Sequence, residues 1–192
     1  MDNSQAKYID IDGINTRYFE AGEGEPMVLI HGGQPGMASS AEIWFLNFDE
    51  LAKKYHVYAL DKLGQGYTDN PKVNEDYTMG AQVKHAVGFM NKLNISNAHI
   101  LGHSRGGYMA TRMALEYPNL TKSIVIIDSA TLMANPNTFN FYENSYYFRL
   151  HYRLKRSISG SNNVTKCQMR TLIMLLILRT VVKMRVECIQ PR

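Results

Sequence analysis

Ser104 stands at the centre of Gly102-His103-Ser104-Arg105-Gly106, directly after the apolar run Ala98-His99-Ile100-Leu101. A serine framed by glycines, leaving a strand and entering a helix, has the pattern of a nucleophile elbow. A side chain at either flanking position would collide with neighbouring backbone, which glycine avoids. The bend lifts the hydroxyl clear of the sheet, where a substrate can meet it. A free serine hydroxyl is a poor nucleophile at neutral pH. The chemistry therefore also needs a base, and a place for developing negative charge.

The triplet His31-Gly32-Gly33, after the apolar run Met27 to Ile30, offers that place. Its backbone can approach a substrate closely. The N–H of Gly33, paired with that of Arg105, is expected to form an oxyanion hole. The helix starting near Arg105 aims its N-terminal N–H groups at the same point. Alone, the triplet reads equally as a plain glycine turn; the elbow beside it gives it meaning.

No general base is found. His31 and His103 flank the two motifs, but each lies in a loop whose backbone serves the site. His56, His85 and His99 fall near strand starts or on a helix, where a packed or solvated role is expected. His151 lies in the late part of the chain. Asp128 ends the strand Ile124 to Ile127 and could orient a histidine; capping a loop or the next helix is the preferred reading. Asp61, in Asp61-Lys62-Leu63-Gly64-Gln65-Gly66, is expected to hold its glycine loop by local hydrogen bonds.

The elements that must position these residues alternate along the chain. Ala6 to Ile11 and Thr16 to Glu20 read as a hairpin turning at Asp12-Gly13. Met27 to Ile30 and Val57 to Leu60 read as strands buried on both faces. Ala41 to Lys54, Met79 to Leu93 and Gly106 to Tyr117 have helical spacing, with Thr78 before the second and Pro118 after the third. Ala98 to Leu101 and Lys122 to Ile127 are further strands. This order implies the α/β class: a mostly parallel sheet with helices on both faces and an antiparallel N-terminal hairpin. Ligands bind such sheets beyond the carboxyl ends of the strands. The loops His31 to Gly36, Asp61 to Asp69 and Gly102 to Gly106 all fall there.

Three segments are expected: a core over 1–135, a partial lid over 136–165 and an aberrant basic tail over 166–192. The lid assignment rests on the Asn-, Tyr- and Phe-rich stretch Asn135 to Tyr152. From Arg149 onward the chain carries ten of its 21 basic residues and one of its 17 acidic residues, Glu187. A basic tail can bind nucleic acid or anionic lipid. These cations lack interleaved aromatics, so no nucleic-acid partner is expected. Leu172 to Leu178 is far shorter than the ~20 residues of a membrane span. It fits a core helix, an interfacial helix or an aggregation-prone segment. With two cysteines, Cys167 and Cys188, neither a disulfide framework nor a metal site is expected. The polar start Met1-Asp2-Asn3-Ser4-Gln5 carries no apolar signal region, and a cytoplasmic setting is expected. Homo-oligomerisation is left open.

Four motifs, in order, carry a family resemblance: His31-Gly32-Gly33, Asp61 to Asp69, Gly102-His103-Ser104-Arg105-Gly106-Gly107 and Asp128-Ser129-Ala130. From about Tyr8 to Pro136 the chain resembles the α/β-hydrolase superfamily. Its glycine loop His31-Gly32-Gly33-Gln34-Pro35-Gly36 looks most like that of the meta-cleavage product hydrolases, with proline iminopeptidases and esterases sharing similar loops. A serine at the elbow argues against the dehalogenase and epoxide hydrolase branches.

The resemblance implies hydrolysis of a small carbonyl, ester or carbon–carbon-bonded ring-fission substrate, without a cofactor. For the carbon–carbon enzymes it further implies ketonisation before the serine attacks. It also implies two later strands bringing an acid and then the catalytic histidine. Nothing after Asn163 reads as those strands, and no histidine follows His151. A truncated or frame-shifted copy is therefore expected, impaired as a catalyst and with an exposed sheet edge. The alternative is a non-catalytic binding protein on the same scaffold.

Overall fold

The computed structural model describes residues 3–34, 37–132, 167–172 and 181–188. The opening hairpin pairs β1 (Lys7–Ile11) with β2 (Ile14–Ala21), turning at Asp12 and Gly13, both at positive φ. That backbone matches the twist of the flanking strands. The apolar runs then become the middle of the sheet. In β3 (Pro26–Ile30) and β4 (His56–Leu60), Val28, Leu29, Ile30, Val57, Ala59 and Leu60 are wholly buried. Strands covered on both faces need no polar side, so these runs do not alternate.

A short helix α1 (Phe48–Ala52) precedes β4, and α2 (Met79–Lys92) follows it. The Thr78 hydroxyl accepts the Ala81 N–H at 3.1 Å and so caps α2. β5 (Ala98–His103) leads through Ser104 into α3 (Arg105–Glu116), and β6 (Thr121–Ile127) comes next. β3 pairs in parallel with β4 and β5, and β5 with β6. β2 joins β4 antiparallel. One core layer gathers Val83, Phe89 and Met90 of α2 with Met109 and Met113 of α3. The opposite layer holds Phe19, Trp44 and Phe48. Helical segments thus cover both faces, as the alternation implies.

Two expectations need correction. Ala41 to Lys54 is not one helix: a 3-10 turn over Ala41–Trp44 and the five-residue α1 share it. The Ala41 N–H is tied to Asp61 Oδ1 at 2.7 Å, and the Arg17 guanidinium grips Glu42 at 2.6 Å. Tertiary anchors at its first two residues override the helical spacing.

The second correction lies late in the chain, where no strand was expected. β7 (Cys167–Leu172) and β8 (Val181–Cys188) form an antiparallel pair, and β8 also pairs antiparallel with β6. The β6 edge expected to lie open is therefore covered, from Ser123↔Arg185 to Ile127↔Val181. The described strands run in the order β1-β2-β4-β3-β5-β6-β8-β7. In sequence, Val182, Met184 and Val186 alternate with Lys183, Arg185 and Glu187. That period of two is a strand signal that the basic charge count obscured. The lid expected over 136–165 and residues 173–178 of the apolar run lie outside the described residues.

Candidate active site

Ser104 occupies the N-cap position of α3, yet its φ of 53° and ψ of −120° aim the chain away from a capping geometry, and its side chain makes no cap bond. A serine N-cap ordinarily has extended backbone and spends its hydroxyl on the helix. Here the hydroxyl is left over; among the described residues it has no hydrogen-bond partner. A non-glycine residue in this region costs ~1–3 kcal/mol. Three bonds hold it: Ser104 N–H to the Ile127 carbonyl at 2.9 Å, and Gly107 N–H and Ser129 Oγ to the Ser104 carbonyl at 2.9 and 2.6 Å.

The flanking glycines are required by close approach. A Cβ on Gly102 would lie 2.2 Å from the Gly106 carbonyl oxygen, and one on Gly106 would lie 2.1 Å from that of Ile30. The second contact presses the start of α3 against the end of β3. It brings the elbow beside the His31 loop: a Cβ on Gly32 would stand 3.0 Å from Ser104 Cβ and 2.9 Å from His103 Nδ1.

Gly33 has φ +75°. Any Cβ there would strike Ser39 and Gln65. The Gly32 carbonyl accepts His31 Nδ1–H at 2.8 Å and Ser39 Oγ–H at 3.3 Å. In a trans peptide the next N–H points the opposite way. Neither the Gly33 N–H nor the Arg105 N–H has an acceptor among the described residues. Ser104, Gly33 and Arg105 are thus on adjoining loops at the carboxyl ends of β3 and β5.

The histidines are otherwise engaged. His31 is wholly buried, and its Nε2 accepts the Lys62 N–H at 3.1 Å, so the ring is neutral with its proton on Nδ1. Burial, with the nearby Lys62 charge, pushes its pKa down to about 3. His85 contacts Thr16 Oγ1 at 2.9 Å, His56 bonds Glu20 at 2.7 Å, and His99 bonds Glu25 at 2.9 Å. His103 Nδ1 is buried without a partner among the described residues, and no described histidine bonds the Ser104 hydroxyl. His151 lies outside the described residues. Asp128 follows β6 at φ 47°, exposed, with no side-chain partner among the described residues. No group of three or more His, Cys, Asp or Glu side chains is gathered for a metal, and no helix is long and apolar enough to cross a membrane, among the described residues.

Two cations escape sequence reasoning. Arg17, 1% exposed, bonds Asp61 Oδ2 at 2.7 Å and lies 4.2 Å from the Tyr67 ring centroid. Asp61 also takes the N–H groups of Ala41 and Tyr67, so it organises its loop as expected, but through a buried network. Lys62, also 1% exposed, donates to the Gly33 carbonyl at 2.8 Å. For Arg17, a charged residue inside a strand was the signal available; Lys62, in a loop, offered none.

A family model described as alpha/beta hydrolase fold matches residues 25–176. A 2-hydroxymuconate semialdehyde hydrolase of Pseudomonas sp. (strain CF600) is 38% identical over 118 residues, covering 62% of this chain and 41% of that protein. A 2-hydroxy-6-oxo-6-(2'-aminophenyl)hexa-2,4-dienoic acid hydrolase of Metapseudomonas resinovorans is 34% identical over 128 residues, covering 66% and 43%. The crystal structure of a meta-cleavage product hydrolase from Pseudomonas fluorescens IP01 superposes with a TM-score of 0.58 at 39% identity, covering 64% of this chain and 44% of that one. The matched stretch is less than half the length of each of these relatives. With the glycine-framed elbow, the facing glycine loop and a family match over most of its length, this chain belongs to the alpha/beta hydrolase fold family.

Proposed function

We propose that Ser104 is the nucleophile of a hydrolase site for a small carbonyl substrate, an ester or a carbon–carbon-bonded ring-fission product. The oxyanion sits between the N–H groups of Gly33 and Arg105. One observation carries the reading: a serine at φ 53° whose hydroxyl is free of the helix it precedes, with two N–H groups, on its own loop and the adjoining glycine loop, that lack acceptors among the described residues. Such preorganised donors stabilise a tetrahedral intermediate without reorganising during the reaction. The ring-fission class rests on the resemblance of the glycine loop to meta-cleavage product hydrolases, one of which is the solved structure compared above.

Turnover by this chain is impaired, because no described histidine takes the Ser104 proton. Oxyanion hole and binding alone leave roughly 10³–10⁴-fold over water. Slow hydrolysis of 4-nitrophenyl acetate, lost in Ser104→Ala, is the expected result; turnover of ordinary enzymatic speed contradicts the impairment. Asp128 enters the reading only as an orienting acid for a histidine outside the described residues.

The second reading is a non-catalytic binding protein on the hydrolase sheet, favoured by the unpartnered Ser104 hydroxyl. Fluorophosphonate labelling separates the two: reaction at Ser104 supports the nucleophile, and no reaction supports the bare pocket. The division into core 1–135, lid 136–165 and tail 166–192 belongs to the proposal, as does a cytoplasmic setting, which rests on the low cysteine count.

A further inference from the structure

Lys62 follows β4, and sequence reasoning gave it no role. It reaches the His31 loop twice. Its backbone N–H donates to His31 Nε2 at 3.1 Å, which fixes the proton of that ring on Nδ1. His31 Nδ1–H in turn holds the Gly32 carbonyl at 2.8 Å. Its ammonium donates to the Gly33 carbonyl at 2.8 Å. The two peptide units flanking Gly33 are therefore both anchored through their carbonyls, one by His31 and Ser39, the other by Lys62. A trans peptide directs its N–H opposite to its carbonyl, so this double anchor turns the N–H groups of Gly33 and Gln34 the other way. Neither has an acceptor among the described residues.

A lysine 1% exposed is costly, since its charge has left water without a carboxylate bonded to it among the described residues. Burial, together with the Arg105 charge, pushes its pKa down to about 7. A long apolar side chain would fill the same volume without that cost. The charge is therefore unexplained by packing. It lies against the loop that carries the Gly33 and Gln34 N–H groups, neither of which has an acceptor among the described residues.

We propose that Lys62 is the positioning residue of the oxyanion loop: its ammonium fixes the Gly33–Gln34 peptide through the Gly33 carbonyl, its backbone N–H sets the His31 ring that holds the Gly32–Gly33 peptide, and its charge is buried against that loop. The inference rests on the reading of Gly33 as an oxyanion donor. Arg105 at the start of α3 and His31 beyond β3 interact with Lys62; His103 at the end of β5 lies near His31, and the Asp61–Arg17–Glu42 network begins at the residue before Lys62. His31 stays neutral down to about pH 3, so it does not titrate near pH 7.

Two measurements on the full chain test the proposal, comparing wild type with Lys62→Met, a substitution of similar length that leaves no charge. The first is the rate of fluorophosphonate labelling of Ser104 against pH, whose transition state develops charge on the phosphoryl oxygen. Labelling is expected to be roughly tenfold to hundredfold slower in Lys62→Met below pH 7, as for misplacement of a reacting group by about an ångström. That ratio is expected to shrink above pH 7, where the wild-type amine is neutral. A ratio that does not change with pH marks Lys62 as merely structural and overturns the proposal.

The second is NMR titration of the Gly33 and Gln34 amides. Both are expected to titrate with a midpoint near 7 in wild type and not in Lys62→Met. A midpoint that persists in Lys62→Met belongs to another group and overturns the assignment. No labelling of wild type at any pH contradicts the nucleophile reading itself, and the amide titration then decides alone whether Lys62 governs the loop.

Discussion

The left-handed backbone of Ser104 is bought with three hydrogen bonds and two glycines, and the same residues that hold the bend leave its hydroxyl unspent. The bend was legible in the sequence because a strand, a glycine frame and a helix leave few other geometries. The buried partners were not. Ser129 bonding the Ser104 carbonyl, and Lys62 bonding that of Gly33, depend on loops that meet only once the sheet is formed. The glycines give a direct prediction. In Gly106→Ala the new Cβ meets the backbone oxygens of Ile30 and His31 at 2.1 and 2.8 Å, so α3 must shift away from β3. Urea denaturation is expected to report a loss of ~1–3 kcal/mol or more, the range of overpacked cores. Labelling of Ser104 should slow in the folded variant. An unchanged midpoint and rate would mean that the elbow does not need this close approach.

At the scale of elements, the parallel strands and the two long helices follow from apolar runs and helical spacing. The misreadings have separate physical causes. The segment after Ala41 breaks into a 3-10 turn and a short helix because Asp61 and Arg17 seize its first residues. Such long-range anchors leave no local pattern. β8 was hidden differently, by the weight given to charge over alternation in Val182 to Glu187. Because β8 lies between β6 and β7, a proline within it removes a ladder hydrogen bond from a strand paired on both sides. Met184→Pro is expected to uncover the β6 edge and raise concentration-dependent association, seen by light scattering. Scattering equal to that of wild type would show that β8 does not protect this edge.

For the molecule as a whole, buried neutral histidines set the response to acid. His31 and His85 have folded pKa values of about 3 and about 4, below the ordinary 6.5, both chiefly through burial. Between those values and 6.5 the unfolded chain binds more protons than the folded one, so stability falls as pH drops through that window. Each histidine contributes a slope of up to about 1.4 kcal/mol per pH unit. His85→Leu is expected to show a shallower fall between pH 6.5 and 4 in urea midpoints; an identical slope would remove His85 from this account. Glu25 acts lower. Bonded to Lys122 and His99, its carboxyl is held down to about 2, and its stabilising effect is present above pH 4.5 and lost as pH falls through 2. It ties the amino ends of β3, β5 and β6, opposite the elbow. The central claim remains that this scaffold presents Ser104 as a nucleophile over an anion-holding loop. Its most direct test is a peptide map after fluorophosphonate exposure. The account predicts one adduct, on the tryptic peptide that ends at Arg105, absent from Ser104→Ala. No adduct, or adducts on other peptides at the same rate in both proteins, would contradict it.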